Sequence, residues 1–222
     1  IKFRMTNLNS KFNKIKMTNY NAFAKTFAKS RKNLKWEEIE YFREKYLQNI
    51  DNKNILDIWC WSWRLLEHLP NNSNFFYTWV DNSCEMTLEA KKSHPDKEFI
   101  VWEMNNFKVE NTFNFVLFIA SFHHLNTIEK RIETLENIKN YINKDSIIFL
   151  TNWKLDSEIY AWKHENWIIH NSTNEFQSID YSVKIGEFNR FYHCFTITEL
   201  EYLFEKTGFK IIENRLFDNQ KN

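Results

Sequence analysis

Residues 55–69 constrain the fold of this chain more than any other segment. Their sequence is ILDIWCWSWRLLEHL. The apolar run at 55–58 is typical of a buried β-strand, and the residues from Arg64 onward have the spacing of an amphipathic helix. A strand that leads directly into a helix is the building unit of an α/β sheet. The turn between them favours glycine, because the chain bends sharply and bare backbone must lie against a ligand. Here Trp59, Trp61 and Trp63 occupy that turn.

Glycine is scarce throughout the chain, which has 2 glycines and 9 tryptophans among 222 residues. An average usage of about 7% predicts roughly 15 glycines. One interpretation is that UGA codons, which some bacterial lineages translate as glycine, are written here as tryptophan. The other is that the tryptophans are genuine, so that their side chains block the ligand site at the turn and the protein is a non-catalytic homologue of proteins that bind a ligand there. The codons at positions 59, 61 and 63 separate the two interpretations.

Length, charge and cysteine content favour one soluble domain. With 43% hydrophobic residues in 222, the chain can bury a sizeable core. The net charge of +1 gives no overall attraction to nucleic acid, but residues 11–35 hold eight basic residues and no acid. Such a run forms a solvated surface or a contact with a phosphate backbone. Three widely spaced cysteines, and no apolar stretch long enough to cross a membrane, predict a cytoplasmic protein.

Strand-like and helix-like segments alternate along the chain, which is typical of an α/β sheet with mainly parallel strands. The patterns predict strands at 55–58, 75–80, 99–101, 113–120, 146–150 and 209–217. They predict helices at 20–30, 36–47, 64–69, 83–92, 127–142 and 198–206. Residues 153–195 lack clear periodicity, as functional loops often do. We interpret residues 1–16 as upstream read-through or a disordered leader before a start at Met17. Residues 17–222 would form one domain with a helical cap at 20–47 and a substrate-region insertion at 153–195.

With glycine at 59, 61 and 63, residues 55–69 closely resemble motif I of the class I S-adenosylmethionine-dependent methyltransferases. The resemblance implies a Rossmann-like α/β fold, with a mainly parallel sheet flanked by helices, and S-adenosyl-L-methionine as the cofactor. Members of this class end in a β-hairpin whose last strand inserts antiparallel between the fifth and sixth strands. Only the polar residues 218–222 follow the sixth predicted strand, so we expect this last strand to be missing.

The same resemblance bears on the other tryptophans. It places glycine at Trp79 and Trp102 as well as in the turn, whereas Trp36 looks genuine. Trp153, Trp162 and Trp167 stay unassigned.

The resemblance assigns cofactor contacts to the ends of the first four strands. Asp57 would contact the methionine amine, and the turn that follows would supply backbone amides. Asp81 would accept from the ribose hydroxyls; its alternative role is to cap the helix that begins near Ser83. Adenine contacts would follow the third strand, and the floor of the methionine pocket would follow the fourth. The complete set is Asp57, Trp59, Cys60, Trp61, Ser62, Trp63, Asp81, Asn82, Glu103, Met104, Ala120 and Ser121.

Three further blocks, at 20–42, 121–138 and 189–209, resemble the tRNA methyltransferases that esterify the carboxymethyl group of wobble uridine. This narrower resemblance implies tRNA as a partner and allows a small activating protein subunit. Its most specific element is Arg190-Phe191-Tyr192-His193. The segment at 153–189 departs from the pattern of that family. A small-molecule O-, N- or C-methyltransferase on the same scaffold is the alternative.

The acceptor residues follow from this resemblance and its chemistry. A carboxylate with a pKa of about 4 is ionised at neutral pH and needs no general base. Arg190 would hold the carboxylate or a phosphate, and Tyr192 and His193 would orient the acceptor or stack on the base. His123 would line the acceptor mouth, and it or His193 would be the base for a neutral acceptor. The pair His123-His124 lacks the ligand spacing of a metal site, so we expect no metal. A loop packed on the edge of the sheet is the alternative for the cluster at 190–193.

Overall fold

The computed structural model of the chain describes residues 37–59, 64–70, 74–157, 164–171, 175–185 and 188–217. Several expectations fall outside these residues: the leader at 1–16, the helix at 20–30, the turn residues Cys60, Trp61, Ser62 and Trp63, and the terminal segment 218–222.

A five-stranded parallel sheet forms the centre of the fold, with strand order β3-β2-β1-β4-β5. Its strands are β1 (Asn54–Ile58), β2 (Phe76–Asp81), β3 (Glu98–Val101), β4 (Phe113–Ile119) and β5 (Ile142–Thr151). The helices are α1 (Glu37–Tyr46), α2 (Arg64–His68), α3 (Cys84–Ser93), α4 (Ile128–Ile138) and α5 (Ile197–Lys206). This is the Rossmann-like α/β fold that the resemblance implied.

Apolar patterning explains how the layers assemble. Strands β1 and β4 lie in the middle of the sheet and are buried along almost their whole length, as expected for parallel strands covered on both faces. Helices α1, α2 and α3 pack on one face, where Phe42 stacks on Phe149 at 4.0 Å between ring centroids. Helices α4 and α5 pack on the other face through Leu135 and Leu203. The helices also begin where polar caps predict. Ser83 accepts from the backbone N–H of Met86 at the start of α3.

A second, antiparallel sheet corrects the expectation that residues 153–195 are irregular. It comprises β6 (Ile168–Asn171), β7 (Ile179–Ile185) and β8 (Phe188–Cys194), in the order β6-β7-β8. The signal was present in the sequence, because Ile179, Tyr181 and Val183 alternate with polar residues, as in a half-buried strand. Tyr181 packs with Leu155 in a small hydrophobic cluster under this sheet.

Two other boundaries differ from the sequence pattern. Helix α4 ends at Ile138, one 3₁₀ turn (Lys139–Tyr141) follows, and β5 begins at Ile142 rather than at 146. Ile142, which was expected to be the last residue on the apolar face of the helix, is therefore the first residue of β5.

The sixth strand predicted at 209–217 is absent, and these residues pair with no strand. They lie against α1 instead, where the Tyr41 hydroxyl donates to Glu213 at 2.7 Å and the Arg215 guanidinium lies 4.0 Å from the Tyr41 ring centroid. Polar and cation–π contacts with α1 thus replace sheet pairing. In the described part of the chain, no antiparallel strand joins the central sheet, and no helix is both long and apolar enough to traverse a bilayer.

Candidate active site

The carboxyl ends of the parallel strands gather the predicted cofactor residues at one edge of the sheet, where ligands bind in open α/β folds. Asp57 is fully buried near the end of β1. It accepts a hydrogen bond from the Tyr77 hydroxyl on β2. The pairing of β1 with β2 therefore holds the Asp57 carboxylate in place.

Asp81 ends β2 and is buried beside the other acids of this edge. Burial raises the pKa of Asp81 to about 7, and the charges of Asp57 and Glu103 also raise it. A hydrogen bond accepted from the Ser83 N–H at 2.8 Å and the positive charge of Arg190 act in the opposite direction. Helix α3 already has its own cap in the Ser83 side chain. Helix α3 therefore does not need the Asp81 side chain as its cap, and the contact of Asp81 with ribose hydroxyls stays a prediction.

Trp59 has the backbone conformation that glycine prefers, with φ = 57°. Its indole N–H donates to the carbonyl of Trp102 at 3.3 Å. Trp102 follows β3, and its backbone N–H donates to the carbonyl of Asp81 at 2.9 Å. Because β2 lies between β1 and β3, the Trp59 indole spans the carboxyl end of β2. The acids at this edge fit a nucleoside ligand, whereas the Trp59 indole lies across the same edge.

Trp79 lies in the core rather than at the ligand edge. It is fully buried in β2, and its ring meets Phe99 edge-to-face at 5.6 Å between centroids. The buried indole N–H has no hydrogen-bond partner among the described residues, which is a costly arrangement for a native tryptophan.

The residues predicted to contact adenine divide into two groups. Glu103 is exposed at the ligand edge and accepts from the Asn82 side-chain amide at 3.3 Å. Met104 is fully buried and packs in the core with Leu56 and Val80. The structure thus brings Glu103 and Asn82 to the edge and places the Met104 side chain beneath it.

The residues after β4 lie next to the end of β5. Ala120 has φ = 52°, and its N–H donates to the backbone carbonyl and to the side-chain hydroxyl of Thr151, at 3.1 and 2.9 Å. Ser121 is fully buried, and its hydroxyl has no partner among the described residues. These contacts fix the backbone that was expected to floor the methionine pocket.

Arg190, Tyr192 and the two adjacent histidines form a compact cluster beside that floor. Arg190 on β8 is buried and donates to the Tyr192 hydroxyl at 2.9 Å and to His124 Nε2. The His123 ring lies 4.9 Å from the Tyr192 ring, and the His124 ring lies 4.7 Å from it, between centroids. The structure thus brings Arg190, Tyr192 and His123 together.

Both histidines of the cluster favour the neutral form. Burial, assisted by the positive charge of Arg190, holds the pKa of His123 and of His124 well below the ordinary value. His123 Nδ1 accepts from the backbone N–H of Trp153 at 3.3 Å, so its proton lies on Nε2. His124 Nδ1 donates to the carbonyl of Phe191 at 2.8 Å, and its Nε2 accepts from Arg190.

His193 lies in a different environment from the other predicted acceptor residues. Its Nδ1 lies 2.6 Å from Asp180 Oδ1 and its Nε2 lies 2.8 Å from Glu199 Oε2. Glu199 also pairs with Arg131 at 3.1 Å. Both ring nitrogens are therefore engaged in a buried ionic network that joins α4 and α5 to the antiparallel sheet. This placement assigns His193 to structural support rather than to contact with an acceptor.

Cys194 is not a nucleophile in this arrangement. Burial and the neighbouring Asp156 raise the pKa of its thiol to about 12, and the thiolate is the reactive form. No group of three or more His, Cys, Asp or Glu side chains in the described part of the chain is arranged to hold a metal ion.

The sequence pattern missed Asn152 and left Trp153 unassigned, although both follow β5 at the same edge. The Asn152 amide is buried, and its hydrogen bond to the His123 ring is one of the influences on the pKa of that histidine. Trp153 is exposed, with its ring 6.3 Å from that of Tyr192. Their position directly after a central apolar strand was the available signal, because residues there face the ligand edge.

Comparison with known proteins identifies the class. The profile of a family described as a methyltransferase domain matches residues 27–214, which is most of the chain. The protein therefore belongs to the methyltransferase domain family. A comparison with curated proteins finds no match.

Solved methyltransferases share the fold at low sequence identity. An S-adenosylmethionine-dependent methyltransferase from Clostridium acetobutylicum is 16% identical, with a TM-score of 0.62 over 88% of this chain and 90% of that chain. A methyltransferase in complex with the Trm112 activator from Haloferax volcanii is 14% identical, with a TM-score of 0.67 over 92% and 82%. CalS10, an amino pentose methyltransferase from Micromonospora echinaspora, is 13% identical, with a TM-score of 0.50 over 94% and 91%.

The enzyme class is thereby settled. The chain is a methyltransferase, and its methyl donor is S-adenosylmethionine, as the strand–turn–helix resemblance implied.

Proposed function

We propose that this protein transfers a methyl group to an acceptor that is already ionised, the carboxylate of a carboxymethyl group on tRNA wobble uridine. S-adenosylmethionine supplies the methyl group as an electrophile. The side chains of the protein hold the carboxylate oxygen in line with it and keep water out, which is a large part of catalysis for such a transfer.

The engaged histidine nitrogens carry the proposal. A neutral hydroxyl or carbon acceptor needs a base to remove its proton. The lone pair of His123 Nδ1 accepts from Trp153, and that of His124 Nε2 accepts from Arg190. The low pKa values of both imidazoles also make them weak bases at neutral pH. This arrangement supports an acceptor that needs no deprotonation.

Arg190 is the group proposed to bind the acceptor carboxylate. Its hydrogen bonds to His124 and Tyr192 go to uncharged groups and fix the orientation of the guanidinium. A guanidinium can hold a carboxylate through two parallel hydrogen bonds. Because Arg190 is buried, such a pair would form in a partly desolvated site, where it is stronger than in water.

The choice of tRNA rests on the three blocks at 20–42, 121–138 and 189–209 and on the basic run at 11–35. We extend the proposal to a small activating protein subunit, since the Haloferax volcanii methyltransferase with this fold is bound to the Trm112 activator. Production of the protein alone and with a small activator of that type, followed by comparison of soluble yield and transfer rate, tests this part.

We also propose that positions 59, 61 and 63 are glycine in the working enzyme. The positive φ of Trp59 and the path of its indole across β2 support glycine at 59. If the codons specify tryptophan, the chain is a non-catalytic homologue with a blocked cofactor site.

The decisive assay measures transfer of a tritiated methyl group from S-adenosylmethionine by the W59G/W61G/W63G variant. The acceptors are tRNA bearing carboxymethyluridine, the same tRNA without the modification, and a panel of small carboxylates, amines and hydroxyl compounds. Labelling of the carboxymethylated tRNA alone, as a base-labile ester, is the expected result. Labelling of small molecules alone would instead support the small-molecule methyltransferase, an activity that CalS10 illustrates on the same fold.

A further inference from the structure

Trp153 presents an aromatic surface beside the Arg190 cluster. It follows the end of β5, at the ligand edge of the sheet, and is 40% exposed. Its backbone N–H donates to His123 Nδ1 at 3.3 Å, and its carbonyl oxygen lies 3.8 Å from the sulfur of Cys194 on β8. The backbone of Trp153 is therefore held from two sides, while part of its side chain is accessible to a ligand.

Tyr192 connects this indole with the proposed carboxylate-binding group. The centroids of the Tyr192 and Trp153 rings are 6.3 Å apart, and their planes are tilted by 50°. The Tyr192 hydroxyl accepts from the Arg190 guanidinium at 2.9 Å, and the guanidinium carbon lies 5.0 Å from the centroid of the Tyr192 ring. The cation and the exposed indole are therefore both neighbours of one tyrosine ring.

Trp153 lacks the features that make two other tryptophans unfavourable. Trp59 has a positive φ, which glycine adopts more readily, whereas Trp153 is not among the residues with positive φ. Trp79 is fully buried with an unpaired indole N–H, whereas the Trp153 side chain reaches the surface. The structure therefore gives no reason to expect glycine at position 153.

A fixed cation next to an accessible aromatic face suits one class of ligand. The guanidinium can hold a carboxylate, and the indole offers a π-face on which a flat ring can stack. A carboxylate that is attached to a flat ring can use both groups at once. An aliphatic carboxylate can use only the guanidinium.

We propose that Trp153 is a specificity-determining residue, on which the ring that carries the acceptor carboxylate stacks. This inference rests on the proposed function, in which that ring is the uracil of wobble uridine. Stacking on aromatic side chains is a usual way for proteins to hold an unpaired base of RNA. Trp153 then selects acceptors with a flat ring and takes no part in moving a proton.

Calorimetric titration of the full 222-residue chain, carrying W59G/W61G/W63G, with three carboxylates tests the proposal. The ligands are 5-carboxymethyluridine, phenylacetate and cyclohexylacetate, whose ring is apolar but not flat. We expect the two flat-ring carboxylates to bind about ten- to hundredfold more tightly than cyclohexylacetate, as for stacking of one base on an aromatic side chain. Trp153→Leu should abolish this preference, and Trp153→Phe, which keeps an aromatic face, should retain most of it.

Two further variants separate the contributions of the indole and the cation. Ile169→Ala removes a side chain of similar exposure, 37% against 40%, from β6 and should preserve the preference for flat rings. Arg190→Ala should weaken the binding of all three ligands, because each of them carries the carboxylate. Circular dichroism of each variant checks that it is folded.

The outcomes separate this proposal from the proposed function. Equal binding of phenylacetate and cyclohexylacetate overturns the stacking role, as does a preference that persists in Trp153→Leu or an absence of binding by all three carboxylates. Tighter binding of phenylacetate than of 5-carboxymethyluridine, if Trp153→Leu removes it, supports the stacking role and overturns wobble uridine as the acceptor. Unchanged binding of all three ligands by Arg190→Ala overturns the carboxylate contact of the proposed function and leaves the stacking role standing. A UGA codon at position 153, read as glycine, would overturn the role of Trp153.

Discussion

Arg190 donates a hydrogen bond to Nε2 of His124, which in turn donates from Nδ1 to the carbonyl of Phe191 at 2.8 Å. The Phe191 carbonyl, on the same strand as Arg190, thus fixes the orientation of the neutral His124 ring, and this ring in turn fixes the orientation of the buried guanidinium. Burial and the Arg190 charge keep the pKa of His124 well below its ordinary value, so the imidazole remains an acceptor for Arg190 at neutral pH. The pair fixes a cation beside the carboxyl ends of β4 and β5.

Replacement of Arg190 should impair methyl transfer far more than cofactor binding. We expect Arg190→Ala to lower kcat/KM for carboxymethylated tRNA by at least about tenfold, because a charge-assisted contact to the acceptor is lost. The affinity for S-adenosylmethionine should change by less than about twofold. Single-turnover rates and calorimetry, in the W59G/W61G/W63G background, provide the two measurements.

Two controls accompany that variant. Lys184→Ala removes a charge from an exposed position on the same small sheet and should leave transfer unchanged. Arg190→Lys keeps the positive charge but lacks the planar guanidinium that can form two parallel hydrogen bonds. Normal activity of Arg190→Lys would show that the positive charge is sufficient and that two parallel hydrogen bonds to the carboxylate are not needed.

The chain with tryptophan at 59, 61 and 63 should not bind S-adenosylmethionine, whereas W59G/W61G/W63G should bind it in the micromolar range or tighter. The Trp59 indole lies across the end of β2, and its φ of 57° is unfavourable for a residue with a side chain. Calorimetry on both proteins decides the matter. Comparable affinities would show that the turn accommodates the indoles and would remove the argument for glycine.

The order of the central elements was predictable because each carried a strong local signal. Apolar runs predicted β1 and β4, and Ser83, as a capping residue, predicted the start of α3. The prediction was wrong for residues 209–217, where an apolar pattern suggested a strand but contacts with Tyr41 on α1 hold the segment outside the sheet. The local sequence pattern does not show which part of the protein a weakly strand-forming segment will pack against.

The site was predictable only in part. The strand ends pointed to Asp57 and Asp81, because residues at those ends face the ligand edge in any such sheet. The neighbouring residues Tyr192 and His193 look equivalent in sequence, yet alternation along β8 sends Tyr192 to the Arg190 cluster and His193 to Glu199. That division depends on the register of a sheet that the sequence pattern had not predicted.

Asp81→Ala should weaken cofactor binding by about 1–3 kcal/mol, because buried ribose hydroxyls would lose a hydrogen-bond acceptor. The measurement is calorimetry in the W59G/W61G/W63G background. Ser83 caps α3 independently, so the helix should persist by circular dichroism. An unchanged affinity together with a loss of helix stability would make Asp81 a structural residue only.

Asp81 should also make stability depend on pH near neutrality. Burial raises the pKa of Asp81 from 3.8 to about 7. The folded protein then binds the proton more tightly than the unfolded chain, so this stabilisation is complete below about pH 4 and is lost as the pH rises through about 7. Asp81→Asn, which cannot ionise, should lose less stability than the parent between pH 5 and 8 in urea unfolding. Asp145→Asn, an exposed position on β5, should follow the parent, and identical curves for all three proteins would show that Asp81 ionises normally.

Glu199 should be the most sensitive single position for stability among the described charged residues of α5. It is almost completely buried and contacts Arg131 at 3.1 Å, His193 at 2.8 Å and the Ser178 hydroxyl. Glu199→Ala leaves the buried Arg131 without this counter-charge, so we expect the free energy of unfolding to fall by about 3–5 kcal/mol.

Two variants and one pH series test the explanation in terms of charge. Glu199→Gln retains the shape and one acceptor oxygen, and should cost less than Glu199→Ala, while the exposed Glu205→Ala should have little effect. Burial works to raise the pKa of Glu199, but the hydrogen bond and charge of His193, the Ser178 hydroxyl and Arg131 together hold it below the ordinary value. Its contribution is therefore present above a pH of about 4.5 and lost as the pH falls through the lowered pKa. The difference in the free energy of unfolding between Glu199→Gln and the parent should therefore become smaller at acid pH. A difference that stays constant with pH would show that packing, rather than the ionised carboxylate, holds α5 on the antiparallel sheet.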